Sequence, residues 1–165
     1  MKESIPFFFR DFSPQWAVFL TAMLPVSELR GAIPLGFVLG LPWQKTIILS
    51  FLGNILPIPF VLFLLDPVSK KLRRFKIWKK FFDWLFAQAG KKAKIVERYE
   101  FWGLVIFVGI PFPGTGAWTG AVISSLLGMR FKKAIIAILL GIVFAGAIVS
   151  ILVFTGKLIV SLSFS

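Results

Sequence analysis

The sequence contains neither cysteine nor histidine, and only 7 of its 165 residues are acidic. The absence of cysteine excludes disulfide bonds and thiolate chemistry. The two absences together exclude the usual zinc sites, because cysteine and histidine are the main zinc ligands. General acid–base and metal-assisted catalysis are also left without their common residues. We therefore expect a protein that is not an enzyme and that holds no metal and no cofactor.

Apolar side chains are what the sequence has in abundance. Hydrophobic residues make up 58% of the chain, with 20 Phe and 6 Trp. This composition lies outside the range of soluble domains, so we expect a single all-α integral membrane domain over residues 1–165. The N-terminus lacks the basic flank and cleavage site of a secretory signal, and we expect its first apolar stretch to be retained.

Two uncharged stretches have the length of a transmembrane helix. Residues 46–65 form 20 uncharged positions, which at about 1.5 Å per residue span roughly 30 Å, the thickness of the hydrocarbon core. A kink is expected at Pro57 and Pro59. Residues 134–156 form the second predicted span.

Two further apolar segments, residues 12–43 and 101–129, are too long for one crossing and are interrupted by proline and glycine. The interruptions are PVSELRGAIP and PFPGTGAWTG. Backbone groups freed by such a break must be buried in protein or line a wet cavity. We interpret both segments as re-entrant helical hairpins that enter and leave on the same face. The alternative is a pair of short, tilted full crossings in each segment.

The chain also resembles itself at an offset of 88 residues, with 11 identities over 51 positions. Gly40 matches Gly128, Lys45 matches Lys133, and Gly53 matches Gly141. Each half would then be a hairpin followed by a span, which gives one net crossing. The second half would enter from the opposite face, so the pattern predicts an inverted repeat.

The segment between the halves, residues 66–100, holds 15 of the charged residues and is strongly basic. Apolar residues recur in it at helical spacing, which predicts an amphipathic helix lying on anionic lipid headgroups. Nucleic acid is the weaker explanation of the net charge of +12. Because cytoplasmic loops are rich in Lys and Arg, we expect a multi-pass cell-membrane protein with this linker in the cytoplasm and both termini outside.

Glu28 and Arg30 lie in the first break, next to Ser27 and between Pro25 and Pro34. Ionisable groups inside a membrane are costly and often carry protons or ions. One interpretation makes Glu28 a proton or cation site and Arg30 an anion contact. The others are local satisfaction of backbone groups freed by the break, and contact with a partner subunit.

The second break has no charge but offers flexible backbone and hydroxyl groups. A half-helix beginning after it would aim its positive end at the midplane, which suits an anionic group. Close packing of small residues is the alternative. The candidate binding residues here are Pro113, Gly114, Thr115, Gly116, Trp118 and Thr119.

The stretch SELRGAIPLG, followed after the basic linker by PFPGTGAWTG and LLGM, resembles the small multidrug export protein family over residues 16–154. More distantly, the hairpins are similar to the DedA superfamily, which implies two opposed re-entrant loops and proton-coupled movement of lipid-linked phosphates. Glu28 and Pro34 match the first loop, and the second loop is matched by Pro113, Gly114, Gly128 and Met129. The chain has Gly116 where DedA-like proteins tend to have arginine, which weakens the implied phosphate recognition.

Three classes of function remain. The first is a secondary transporter, proton-coupled, that moves a small molecule or lipid-linked anion through a mid-membrane site between the two loops. A cation or multidrug exporter that uses Glu28 is an alternative form of this first class. The second class is a structural or assembly protein without transport. The third is a membrane enzyme, for which no His, Cys or acid pair is available. Two spans and two hairpins are too few to enclose a path, so we expect a homodimer.

Overall fold

The computed structural model describes residues 13–63, 80, 83, 87, 99–112 and 114–163, with side chains described to residue 156 in the last range. These residues contain helices and turns and no strand, which confirms the predicted all-α class. The main helices are α1 (Pro14–Met23), α2 (Glu28–Val38), α3 (Trp43–Ile55), α4 (Glu100–Gly109), α5 (Ala117–Leu126) and α6 (Phe131–Ser163).

Two helices are long and apolar enough to cross a membrane, and they correspond to the two predicted spans. They cover Trp43–Phe63 and Phe131–Gly156. The first is interrupted at Leu56, which forms a turn before the helix resumes at Pro57. Proline disfavours helical backbone in the residue before it and fits the first turn of a new helix, which explains why the interruption falls there.

The chain forms two compact units, which we describe separately. The first unit comprises residues 1–54 and 145–165, and thus contains α1, α2, most of α3 and the end of α6. In it, α1 packs along α2. Its buried core is formed by Val18, Ala22 and Ala32, with Leu39, Leu41 and Leu49 packed against them.

Glycines set the close approaches to α3 within the first unit. Gly53 lies directly against the carbonyl oxygen of Phe19, and Gly146 of α6 lies against the ring of Phe51. A side chain at either glycine would overlap these neighbours. Small residues therefore allow α1 and the end of α6 to pack on α3, as is usual between membrane helices.

The second unit comprises residues 55–144, and its described part includes α4, α5 and the first part of α6. Here α4 packs against α5. Gly141 of α6 lies against Val108 of α4, and Gly120 of α5 lies against the same side chain. The interior is apolar and is formed mainly by Leu104, Val105, Val108, Ala121, Val122, Ile123, Ala134, Ala137, Ile138 and Ile142.

Local backbone features recur at positions 88 apart. Gly40 follows α2 and Gly128 follows α5, with φ angles of 72° and 63°. Each donates its amide N–H to the carbonyl oxygen three residues earlier, at 3.1 Å in both cases. The next helix begins three residues later, α3 at Trp43 and α6 at Phe131.

The basic linker falls almost entirely outside the described residues. Of its central part only Lys80, Asp83 and Ala87 are described, and all three are helical. The amphipathic surface helix, its cytoplasmic position and the external termini therefore stay predictions.

Candidate functional site

The break between α1 and α2 is a tight turn at residues 24–27. The amide of Leu24 donates to the carbonyl oxygen of Thr21 at 3.3 Å. The hydroxyl of Ser27 donates to the same carbonyl at 2.7 Å. Ser27 thus uses its side chain to close the turn, and it makes no side-chain hydrogen bond that caps α2. Pro25 is half-buried in this turn.

Glu28 is the first residue of α2, and its side chain is 4% exposed. Its φ angle is 48°, in the left-handed region that residues other than glycine rarely adopt. Backbone strain of this kind costs on the order of 1–3 kcal/mol and is concentrated at functional sites. The turn therefore holds a buried carboxyl group at a defined position, at a conformational cost.

Two neighbouring features stabilise the Glu28 carboxylate. A negative charge at a helix N-terminus gains about 0.3–1 kcal/mol, and up to about 2 kcal/mol when partly buried. An acid in the middle of a membrane costs about 2.5–3.5 kcal/mol, so the helix end alone does not offset burial at that depth. The side chain of Arg30, half-buried and two residues further along α2, interacts electrostatically with Glu28. The two opposite charges are therefore close enough at the break to influence each other.

The rest of α2 is built for close packing. Gly31 lies against the Ser27 side chain, and Gly36 lies against Thr46 of α3. Pro34 is inside α2 and half-buried. The structure therefore brings Pro25, Ser27, Glu28 and Arg30 together at one turn, with Pro34 further along the same helix.

The second break lies between α4 and α5. Gly114 and Gly116 have φ angles of 76° and 122°, which a helix cannot contain. For this reason α5 begins only after both glycines, at Ala117. Pro113 lies outside the described residues.

Thr115 holds this loop together. Its hydroxyl oxygen lies 2.8 Å from the carbonyl oxygen of Ile110 and 2.7 Å from that of Phe112. It also accepts the amide N–H of Phe112 at 3.3 Å. The hydroxyl, predicted as a binding group, is thus already used within the loop. Trp118 is half-buried and Thr119 is buried in the first turn of α5.

The sequence interpretation missed a polar face on α3. The buried residues of this helix are Thr46, Ser50, Gly53 and Asn54, with no apolar side chain among them. The apolar side chains of α3 are only half-buried or exposed, and Ile48 and Leu52 are more than half exposed. The available signal was the spacing of four between the three polar residues, which places them on one helix face.

A groove of about 500 Å³ lies between α1 and α3 in the first unit. Its polar lining residues are Gln15, near the start of α1, and Lys45, near the start of α3. The remaining wall is apolar and is formed by Trp16, Phe19, Ile48, Leu49 and Leu52.

No group of three or more acidic or other metal-binding side chains occurs among the residues that the structure describes. The described residues thus form an all-helical structure with two helices long and apolar enough to span a membrane, and with a buried acid at a helix break. The family model described as "Putative small multi-drug export protein" matches residues 28–148, well over half of the chain. The protein belongs to this family, and the family and its apolar helices indicate a membrane location. No match was found among curated proteins or solved structures.

Proposed function

We propose that this chain is a small proton-coupled secondary transporter that moves an amphipathic, lipid-linked or similar anionic molecule. Glu28 is the proton site and Arg30 contacts the anionic group. The observation that carries the proposal is the burial of Glu28 in a strained conformation at a helix break. An acid that only anchored the turn would need neither the strain nor a half-buried guanidinium beside it.

The architecture proposed for this transporter is an inverted repeat of a re-entrant hairpin and a span. Its support is the recurrence of turn geometry at Gly40 and Gly128, followed in each case by a long apolar helix. Broken helices near substrates are characteristic of transporters built from such repeats. The path between the two loops stays a prediction. The same holds for the homodimer and for a cytoplasmic linker on anionic lipid.

The groove between α1 and α3 supports the substrate class. Its volume of about 500 Å³ is within the range of small-molecule sites. Among its lining residues, Lys45 suits an anionic head, and Trp16, Phe19 and Leu52 suit an apolar tail. A substrate with one charged end and one apolar end would complement both parts of the groove.

Export of cationic compounds is the second candidate, since the family description names multidrug export and Glu28 is a buried acid. In that case Glu28 would bind the cation directly, and Arg30 would only balance its charge. The two candidates differ in which side chain they require.

Reconstituted flux distinguishes them. Proteoliposomes with an imposed pH gradient are tested with two probes, a short-chain fluorescent phosphatidic acid and the organic cation ethidium. We expect pH-driven movement of the phosphatidic acid, with Arg30→Lys and Lys45→Gln each slowing it at least tenfold. Arg30→Lys keeps the charge but loses the planar fork that binds a phosphate through two hydrogen bonds. Glu28→Gln should leave residual flux that no longer responds to pH.

The chain offers matched controls. Lys133 is exposed and corresponds to Lys45 at the offset of 88 residues. Glu100 is an exposed acid with a φ angle of 39°, close to that of Glu28. Lys133→Gln and Glu100→Gln should leave flux unchanged. Ethidium flux that needs Glu28 but tolerates Arg30→Lys would replace the proposal with the cation exporter, and no flux of either probe would favour a structural role.

A further inference from the structure

Five buried hydroxyl or amide oxygens of the first unit have no hydrogen-bond partner among the described residues. One of them, Thr46 Oγ1, lies near the start of α3. The other four are Thr21 Oγ1, Ser50 Oγ, Asn54 Oδ1 and Ser150 Oγ. Their residues are between 0% and 8% exposed. Serine and threonine in helices commonly donate to the carbonyl oxygen of the preceding turn, and here they do not. Each such orphaned group lowers the stability of the fold, because the hydrogen bonds it makes to water in the unfolded chain are not replaced.

These four oxygens come from three helices that meet around the end of α3. Ala22, next to Thr21, packs against Gly53, which is next to Asn54. Ser50 lies one turn before Asn54 on the same buried face. Ser150 lies one turn beyond Gly146, which packs against Phe51. One helical turn is about 5.4 Å, so each of these residues lies within about a turn, along its own helix, of the contacts at Gly53 and Phe51.

Glu28 begins the helix next to the turn that contacts Thr21. The residue before Glu28 is Ser27, whose hydroxyl donates a hydrogen bond to the carbonyl oxygen of Thr21. Gly31, one turn along α2, approaches the methyl group of Thr21. The turn that carries the buried acid is therefore in contact with a residue that contributes one of the orphaned oxygens.

Helix packing by itself does not require polar residues on this face of α3. The corresponding positions of α6, which are 88 residues further along the chain, hold Ala134, Ile138 and Ile142. Thr46, Ser50 and Asn54 are as deeply buried as these three residues, with all six at most 1% exposed. The second unit buries apolar side chains at the positions where the first unit buries polar ones. The polar atoms of the first unit are therefore not needed for packing, which indicates that they have another role.

We propose that Thr21, Ser50, Asn54 and Ser150 bind a dehydrated alkali-metal cation, such as Na⁺, next to Glu28. Neutral oxygens with a single carboxyl group suit a monovalent cation, whereas Ca²⁺ sites usually contain several carboxylates. The described residues contain no cluster of acids that could hold a divalent ion. The site goes beyond the proposed transport activity, because cation binding can occur whatever the substrate is.

The test is thermal unfolding of the full-length protein in detergent at constant ionic strength. NaCl or KCl is titrated against choline chloride, whose cation is too large for a site of this kind. A bound cation stabilises only the folded state, so Tm should rise with Na⁺ or K⁺ and then saturate. Identical melting curves in the three salts would overturn the proposal, since ordered water would satisfy the oxygens equally in all of them.

Variants locate the effect. Ser50→Ala and Asn54→Leu each replace an orphaned polar group by an apolar side chain, and the corresponding residues of the second unit, Ile138 and Ile142, are already apolar. Both variants should fold, but their Tm should no longer rise with Na⁺ or K⁺. Asn54→Asp keeps an oxygen ligand, so its Tm should still rise with Na⁺ or K⁺. Ser124→Ala is the control, because Ser124 is fully buried in the second unit and its hydroxyl donates to the carbonyl oxygen of Ala121 at 2.8 Å. A shift that survives both Ser50→Ala and Asn54→Leu would exclude this site.

If Ser50→Ala and Asn54→Leu both fail to fold, binding of radioactive ²²Na⁺ is measured on the unaltered protein and on Thr21→Val. Saturable binding that Thr21→Val weakens at least tenfold supports the site. Binding that is absent, or that Thr21→Val leaves unchanged, overturns it. Neither readout involves transport, so failure here is separable from failure of the proposed function.

Discussion

Gly40 and Gly128 end two different helices with the same left-handed turn, at φ angles of 72° and 63°. No neighbouring atom lies within 4 Å of the position that a Cβ would occupy at either residue. Glycine is therefore required at both positions by the backbone conformation alone, since space for a side chain is available.

Replacement of either glycine by alanine should destabilise the protein by about 1–2 kcal/mol, which is the usual cost of left-handed backbone for a residue with a Cβ. The measurement is the Tm in detergent of Gly40→Ala and Gly128→Ala. The control is Gly156→Ala, a helical site with open space around it. This control should gain about 0.5–1 kcal/mol. Wild-type stability in both turn variants would show that the turns can relax.

Gly53 should tolerate no side chain. A Cβ there would overlap the backbone carbonyl of Phe19 and lie 2.8 Å from Cβ of Ala22. Backbone atoms cannot rotate away, so Gly53→Ala should separate α1 from α3 and cost about 1–3 kcal/mol, as overpacking usually does. A Tm equal to that of Gly156→Ala would contradict the close helix contact.

Thr115 should matter through its hydroxyl group within the loop before α5. Thr115→Val keeps the shape but removes the oxygen that meets the backbone of Ile110 and Phe112. We expect a loss of about 1–3 kcal/mol. Thr115→Ser keeps the hydroxyl and should retain most of the stability. If the two variants melt alike, the hydrogen bonds do not hold the loop and Thr115 is again a candidate binding residue.

The orientation prediction can be tested in the basic linker. Substitution of Lys70, Lys71, Arg73 and Arg74 by glutamine should weaken or invert membrane insertion, because cytoplasmic Lys and Arg set topology. The chain has no native cysteine. A single cysteine at Gly90 therefore reports the side of the linker through a membrane-impermeant thiol reagent. Substitution of Lys2 and Arg10, expected outside, is the control and should not invert the protein.

The sequence by itself determined the helical class, the two spans and the positions of the two breaks. Long uncharged stretches must satisfy their backbone groups internally in lipid, which leaves helices as the solution for segments of this length. Proline and glycine then mark where a helix cannot continue, as at Leu56 before Pro57 and at Gly114 and Gly116. Glu28 stood out because an acid in such a stretch is costly.

Tertiary structure decided which face of each helix is buried. Composition does not reveal which face of α3 is buried, because apolar side chains of a membrane helix can face either lipid or the protein interior. The polar face of Ser50 and Asn54 is inside, in the same unit where Gly146 packs against Phe51 of α3. Phe51 and Gly146 are far apart in the chain, and no local spacing encodes such a contact. The path of the loop before α5 likewise determined that the Thr115 hydroxyl contacts the backbone of Ile110 and Phe112. Local sequence thus determined where the helices begin and end. Packing between residues distant in the chain determined which side chains are buried and which can contact a ligand.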